Sequence, residues 1–263
     1  MKKPVTLYIL LLALSIGVLF LLNLFLGSVD IPFRSIWNIL WGMDEGESVI
    51  WQNIIWKSRV PQALTAMVAG AGLAVSGLQM QTVFRNPLAG PSVLGISSGA
   101  SLGVAFVVLL SGSIGGIALS RLGFMGEIAL TMAAIIGALS IMALIVYVSQ
   151  KVHGNVTLLI IGVMIGYVAN AVIGVLKFFS VEEDIRAYVI WGLGSFARVS
   201  GNQMMVFVCI MAVLLPLSFL LIKTLNLLLL GDAYARNLGL NIKRARLQVI
   251  ACSGVLVAIV TAY

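Results

Sequence analysis

The residues of this chain that could do chemistry fall in two places. One is the polar run Gly231-Asp232-Ala-Tyr-Ala235-Arg236-Asn-Leu238-Gly239, followed by Lys243, Arg244 and Arg246. Asp232 can cap a short helix whose end is Gly239 in the left-handed conformation, and Asn241 can cap the helix after it. Ala233, Tyr234, Leu238 and Leu240 give this pair an apolar side, and the arginines and lysine give it a basic one. Such a surface could rest on anionic lipid or lie in a groove of a cytosolic partner. The other place is a set of uncharged polar side chains in apolar surroundings: Gln79, Gln81, Ser97, Ser98 and Asn170. They are candidates for the wall of a path along which a large ligand is passed and not held.

Other chemistries find little to work with. His153, the one histidine, lies in a short turn beside Lys151 and reads as a solvated side chain. Cys209 and Cys252 fall in apolar runs without a CxxC pair, so they offer neither a disulfide framework nor a metal site. The sequence has no Gly-x-x-x-x-Gly-Lys-Ser/Thr loop to cradle nucleotide phosphates. An intramembrane enzyme would need a Ser/His, paired-Asp or HExxH group at membrane depth, whereas the carboxylates here stand at or beyond the ends of the apolar runs.

The elements that must position the polar residues are membrane helices. The chain is 61% hydrophobic and 10% charged, with a mean hydropathy of +1.12, where an ordinary soluble domain is roughly 25% charged. Seven runs free of Asp, Glu, Lys and Arg approach the length that crosses a ~30 Å core: 5–29, 60–84, 86–120, 128–150, 152–176, 199–222 and 247–263. The first is too long for a secretory signal and lacks its cleavage site. The expectation is an all-α polytopic membrane protein, a single transmembrane domain over 1–263. The last run ends at Tyr263 without a basic stop, so further residues are expected beyond it.

Basic residues mark the inner side. With the N-terminus inside, the inner loops carry Lys2, Lys3, Arg85, Lys151, Lys223, Arg236, Lys243, Arg244 and Arg246 against Asp232 alone, while acids gather outside. The net charge of +7 then reflects topology and not a nucleic-acid partner. An outer, periplasmic loop is expected over 28–58 and an inner, cytoplasmic coupling loop over 226–246. The tryptophans of the outer loop, Trp37, Trp41, Trp51 and Trp56, suit an interfacial helix or a docking ledge for an outside partner. Residues 181–202 suit a second outer ledge, with Glu182, Glu183 and Asp184 in a first helical turn and a break at Gly192 and Gly194.

Small residues recur every four positions in three runs: Ala66, Gly70 and Ala74; Gly95, Gly99 and Gly103; and Gly162, Gly166 and Gly174, with Asn170 completing the last row. Each stripe lies on one helix face, where it lets backbones approach closely. Between the first two, Asn86-Pro-Leu-Ala-Gly-Pro91 carries two prolines and predicts a rigid reversal.

Arg59-Val60-Pro61, a helix end at Ser76-Gly77, Arg85-Asn86-Pro87-Leu88-Ala89, Pro91 and Leu94-Gly95-Ile-Ser97-Ser98-Gly99-Ala100 resemble the FecCD family of ATP-binding-cassette importer permeases. The run Gly231–Gly239 resembles that family's coupling loop. The resemblance implies carriage of an iron–siderophore complex, haem or vitamin B12 across the bacterial inner membrane by a ten-helix permease, of which seven helices are present here. It implies a second permease, identical or paralogous, two cytosolic ATPases, and a periplasmic or lipoprotein binding protein that delivers substrate. Membrane lipid surrounds the assembly. ATP would be used by the ATPases, with no cofactor and no enzymatic activity on this chain. The 231–246 loop would carry ATPase closure into tilting of the helices around residues 60–110. The alternative is an ion-coupled secondary transporter; proton-coupled examples place Asp, Glu or His at mid-membrane, which these runs do not.

Overall fold

A computed structural model describes residues 5–43, 46, 48–90, 92–114, 124–152, 155–196, 199 and 201–263. Pro91 and His153, and the charges at Lys2, Lys3, Asp44, Glu45, Glu47, Arg121 and Arg198, lie outside the described residues. Regular structure among the described residues is helical. In chain order the helices are α1 (Val5–Phe25), α2 (Phe33–Leu40), α3 (Val49–Ile54), a π turn (Ile55–Arg59), α4 (Val60–Phe84), α5 (Ile96–Ile114) and α6 (Phe124–Lys151). Then come α7 (Asn155–Phe179), α8 (Glu182–Gly192), α9 (Gly201–Phe219), α10 (Ile222–Leu229), α11 (Asp232–Asn237) and α12 (Ile242–Ala262). Six stretches are long and apolar enough to cross a membrane, and α5 is a shorter apolar helix. Each of the seven expected runs thus contains all or most of one of these helices.

The chain divides into two compact units, 1–68 with 195–208, and 69–194 with 209–263. In the first, Ile31, Ile36, Ile39 and Ile55 form a small core against Phe25, Leu40 and Trp51. Nearly all of α1 is exposed, Leu24 being its one buried residue. Apolar exposure on that scale suits a lipid solvent. α2 buries Ile36 and Ile39, while Phe33, Trp37 and Trp41 are exposed on its other side. These rings form a ladder with Phe25, successive centroids lying 4.5, 6.5 and 5.9 Å apart, which suits an interfacial helix.

Helix extends into the expected outer loop. Residues 49–84 are one helical run, about 54 Å long at 1.5 Å per residue. Pro61 supplies no N–H to the turn before it, and there the helix widens, with the Val60 amide donating to the Ile55 carbonyl. The expected helix end at Ser76-Gly77 is likewise absent: both residues are buried inside α4.

In the second unit α5 is central, packing on α6, α7, α8 and α12. A β-carbon on Gly99 would lie 2.7 Å from the Gly137 carbonyl oxygen of α6, and one on Gly95 would lie 2.9 Å from the Gly162 carbonyl oxygen of α7. The α5 stripe therefore meets α6 as well as α7, at a glycine that belongs to none of the three expected stripes. The α4 stripe is rotated from its expected face. Gly70 has open space around it, whereas Gly72 faces Met211 and Val260. A β-carbon on Gly174 would also meet none of the described residues within 4 Å. The second ledge folds as α8 with its acids in the first turn, and Lys177 lies 4.7 Å from the Tyr188 ring. Burial pushes the Tyr188 phenol above its ordinary pKa, opposed by its hydrogen bond with Ser101 of α5.

Candidate coupling site

α4 stops at Phe84 because the next three residues cannot continue it. Arg85 takes a left-handed φ of 48°, and Pro87 biases Asn86 away from helix. Asn86 then closes a turn on itself, its Oδ1 accepting from the Leu88 amide at 2.9 Å and its carbonyl from the Ala89 amide at 3.0 Å. Gln81 braces the turn by donating Nε2 to the Pro87 carbonyl at 3.2 Å. Leu88 projects outward, 86% exposed, and Ala89 is buried.

The run that begins at Gly231 folds as a short hinged helix pair. The Gly239 amide donates to the Arg236 carbonyl at 3.0 Å and the Leu240 amide to the Ala235 carbonyl at 2.9 Å. That double bond pattern ends a helix through a left-handed residue, and Gly239 has a φ of +86°. Asn241 caps α12 as expected, its side chain accepting from the Arg244 amide at 3.1 Å. Asp232 does not cap α11. It is the first helical residue after Gly231, and its carboxylate serves two guanidinium groups. Oδ1 accepts from Arg85 Nη2 at 2.5 Å and Oδ2 from Arg246 Nη2 at 2.5 Å. Arg85 also donates to the Leu228 carbonyl at the end of α10, at 3.3 Å. The side chains of Arg85, Asp232 and Arg246 are 43%, 40% and 25% exposed. Pairs that exposed stabilise by only about 0–1 kcal/mol, so this cluster fixes geometry more than it adds stability. With Ala235 buried beneath it, α11 presents Tyr234, Arg236 and Leu238 outward.

Above this joint α4 and α12 share a polar seam. Ser76 and Ser253 hydroxyls lie 2.5 Å apart, and Gln79 Nε2 donates to Cys252 Sγ at 3.7 Å. Gln79 is 1% exposed. Its Oε1 is buried without a partner among the described residues. Of the other expected wall residues, Gln81 belongs to the turn, Ser97 pairs with Thr261 at 3.3 Å, Ser98 is half-buried against Gly166, and Asn170 is exposed on α7. The structure does not gather the five into one wall.

Arg59, noted in the sequence only as part of a motif, is 5% exposed. It donates to the carbonyls of Leu24, Phe25 and Val29 at 2.6, 3.2 and 2.5 Å. It closes the open end of α1, with Gly27 leaving room for the guanidinium.

Long apolar helices packed through glycine, joined near one end by a braced pair of short helices, define a polytopic membrane protein with a built extramembrane surface. The chain belongs to the FecCD transport family, whose profile matches residues 12–263. It is 35% identical over 233 residues to the hemin transport system permease protein HmuU of Yersinia pestis, covering 88% of this chain and 66% of that one. It is also 35% identical over 253 residues to the vitamin B12 import system permease protein BtuC of Serratia proteamaculans, covering 96% and 69%. Among solved structures, one described as a metal-chelate type ABC transporter in an inward-facing conformation has a TM-score of 0.75 and 29% identity, over 95% of this chain and 73% of that one. The chain spans about two thirds of the length of these curated relatives.

Proposed function

We propose that the chain is the permease subunit of an ATP-binding-cassette importer of the bacterial inner membrane, with its N-terminus in the cytoplasm, passing a ligand of the iron–siderophore, haem or cobalamin type. It would work with a second permease, two cytosolic ATPases and an external binding protein, and ATP would be hydrolysed by the ATPases. Relatives named for hemin and vitamin B12 support the ligand class. The observation that carries the reading is α11. Its apolar Tyr234 and Leu238 stand exposed beside Arg236, on a helix locked behind by Ala235, Gly239 and Asp232. A short rigid helix that shows aromatic, aliphatic and cationic groups together suits insertion into a protein groove. Of the wall residues, Asn170 and Ser98 remain proposed for the path, through α7 and its contact with α5.

The test is co-purification of the chain with a co-expressed cytosolic ATPase, coupled to ATP-dependent uptake of hemin or cyanocobalamin in proteoliposomes. Arg236→Glu and Tyr234→Ala are expected to lower recovery of the ATPase at least about tenfold, the scale of losing a central interface side chain. Unchanged recovery and uptake in both variants would remove α11 from the interface.

A further inference from the structure

We propose that Asp232 is a positioning residue, the joint through which motion of α11 reaches α4 and α12 together. This inference rests on the coupling role just assigned to α11. Both oxygens of its carboxylate are used, one by Arg85 at the end of α4 and the other by Arg246 in the second turn of α12. Arg85 adds a bond to the Leu228 carbonyl, so four helix ends converge on three side chains. Each link spans a long stretch of sequence or a separate helix.

Backbone geometry points the same way. Arg85 is the one non-glycine residue with a positive φ among the described residues. A glycine or asparagine would take that conformation more easily, and strain of this kind persists where the surroundings hold it. What Arg85 supplies that they cannot is a guanidinium reaching Asp232. Take the carboxylate away and two cations are left facing the same gap, which drives them apart.

The joint is the lower of two attachments between α4 and α12. The upper one is the seam of Ser76 with Ser253, buried and mutually hydrogen-bonded, beside Gln79 with Cys252. The two levels lie roughly 10–14 Å apart along the helices, from the residue spacing and a 1.5 Å rise. Two attachments at that separation stop α4 and α12 from pivoting about each other. The pair therefore moves as one lever when α11 is pushed, and the α4–α5 turn moves with it.

The experiment uses the full chain with its ATPase in nanodiscs, spin-labelled at Leu88→Cys and Ala233→Cys in a background where Cys209→Ala and Cys252→Ser remove the native thiols. Both positions are exposed. Distances are measured by double electron–electron resonance without nucleotide and with ATP and vanadate. The expected result is one narrow distance in the otherwise wild-type chain, the same in both states. Asp232→Asn and Arg85→Gln are each expected to at least double its width, and Asp232→Glu to restore it. ATP hydrolysis should persist in the Asn variant while its stimulation by the loaded binding protein falls about fivefold or more, within the usual range of coupling between sites. The proposal is overturned if Asp232→Asn leaves the distribution narrow, or if the wild-type distance changes between the two states. A wild-type chain that never binds the ATPase overturns the functional reading, and the widths without nucleotide still decide the joint.

Discussion

A buried guanidinium is costly unless its donors are met. Arg59 is met by the Leu24 and Phe25 carbonyls at the end of α1, groups the helix itself leaves open, and by the Val29 carbonyl just beyond it. Removing it strands those carbonyls, so Arg59→Ala is expected to destabilise by about 2–3 kcal/mol, the scale of charged hydrogen bonds. Arg59→Lys should lose less, since an ammonium keeps the charge but not the fork. Thermal unfolding in detergent checks both, and equal midpoints for wild type and Arg59→Ala would contradict the assignment. The glycines give a second contrast. A β-carbon on Gly99 would press on the α6 backbone, and one on Gly70 would meet none of the described residues within 4 Å. Gly99→Leu should abolish a monodisperse fold in size-exclusion chromatography, while Gly70→Leu should elute as wild type. Sequence revealed the spacing of these glycines and not their phase. α4 is nearly uniform in hydropathy around its circumference, so nothing in it says which face turns inward. Gly137 was within reach of the same search, since Ala129 and Ala133 precede it at four-residue intervals.

Element ends were more legible than element faces. Asn241 and Gly239 act through bonds to residues three to five positions away, which a local reading can find. Asp232 obeys the opposite rule. Its partners are 147 and 14 residues distant, so a helix cap was the best that local chemistry allowed, and tertiary pairing displaced it. Long-range structure also overrides a local signal where the helix continues from α3 into α4. Pro61 marks a boundary in sequence, yet a π turn absorbs its missing N–H. The cap geometry makes a prediction at this scale. Gly239→Val forces a β-branched side chain into a left-handed residue, which should reorient α11 and lower ATPase co-purification while shifting the unfolding midpoint of the whole chain little. A midpoint that falls with no loss of the ATPase would contradict the view that the Gly239 joint sets the docking face.

For the whole molecule, composition and charge-free runs were enough to expect seven helices, because lipid demands long apolar segments with internally satisfied backbones. How those helices assemble around a path lies in contacts that periodicity does not encode. The central claim is that movement of ligand is driven from the α10–α12 side by a separate ATPase. The most direct measurement is hemin or cyanocobalamin uptake in proteoliposomes holding the chain, its second permease, the ATPase and the binding protein, with ATP and with a proton ionophore in turn. The account predicts uptake that stops when the ATPase or ATP is withheld and survives the ionophore. Uptake that continues without the ATPase, and collapses when the ion gradient is discharged, would contradict it.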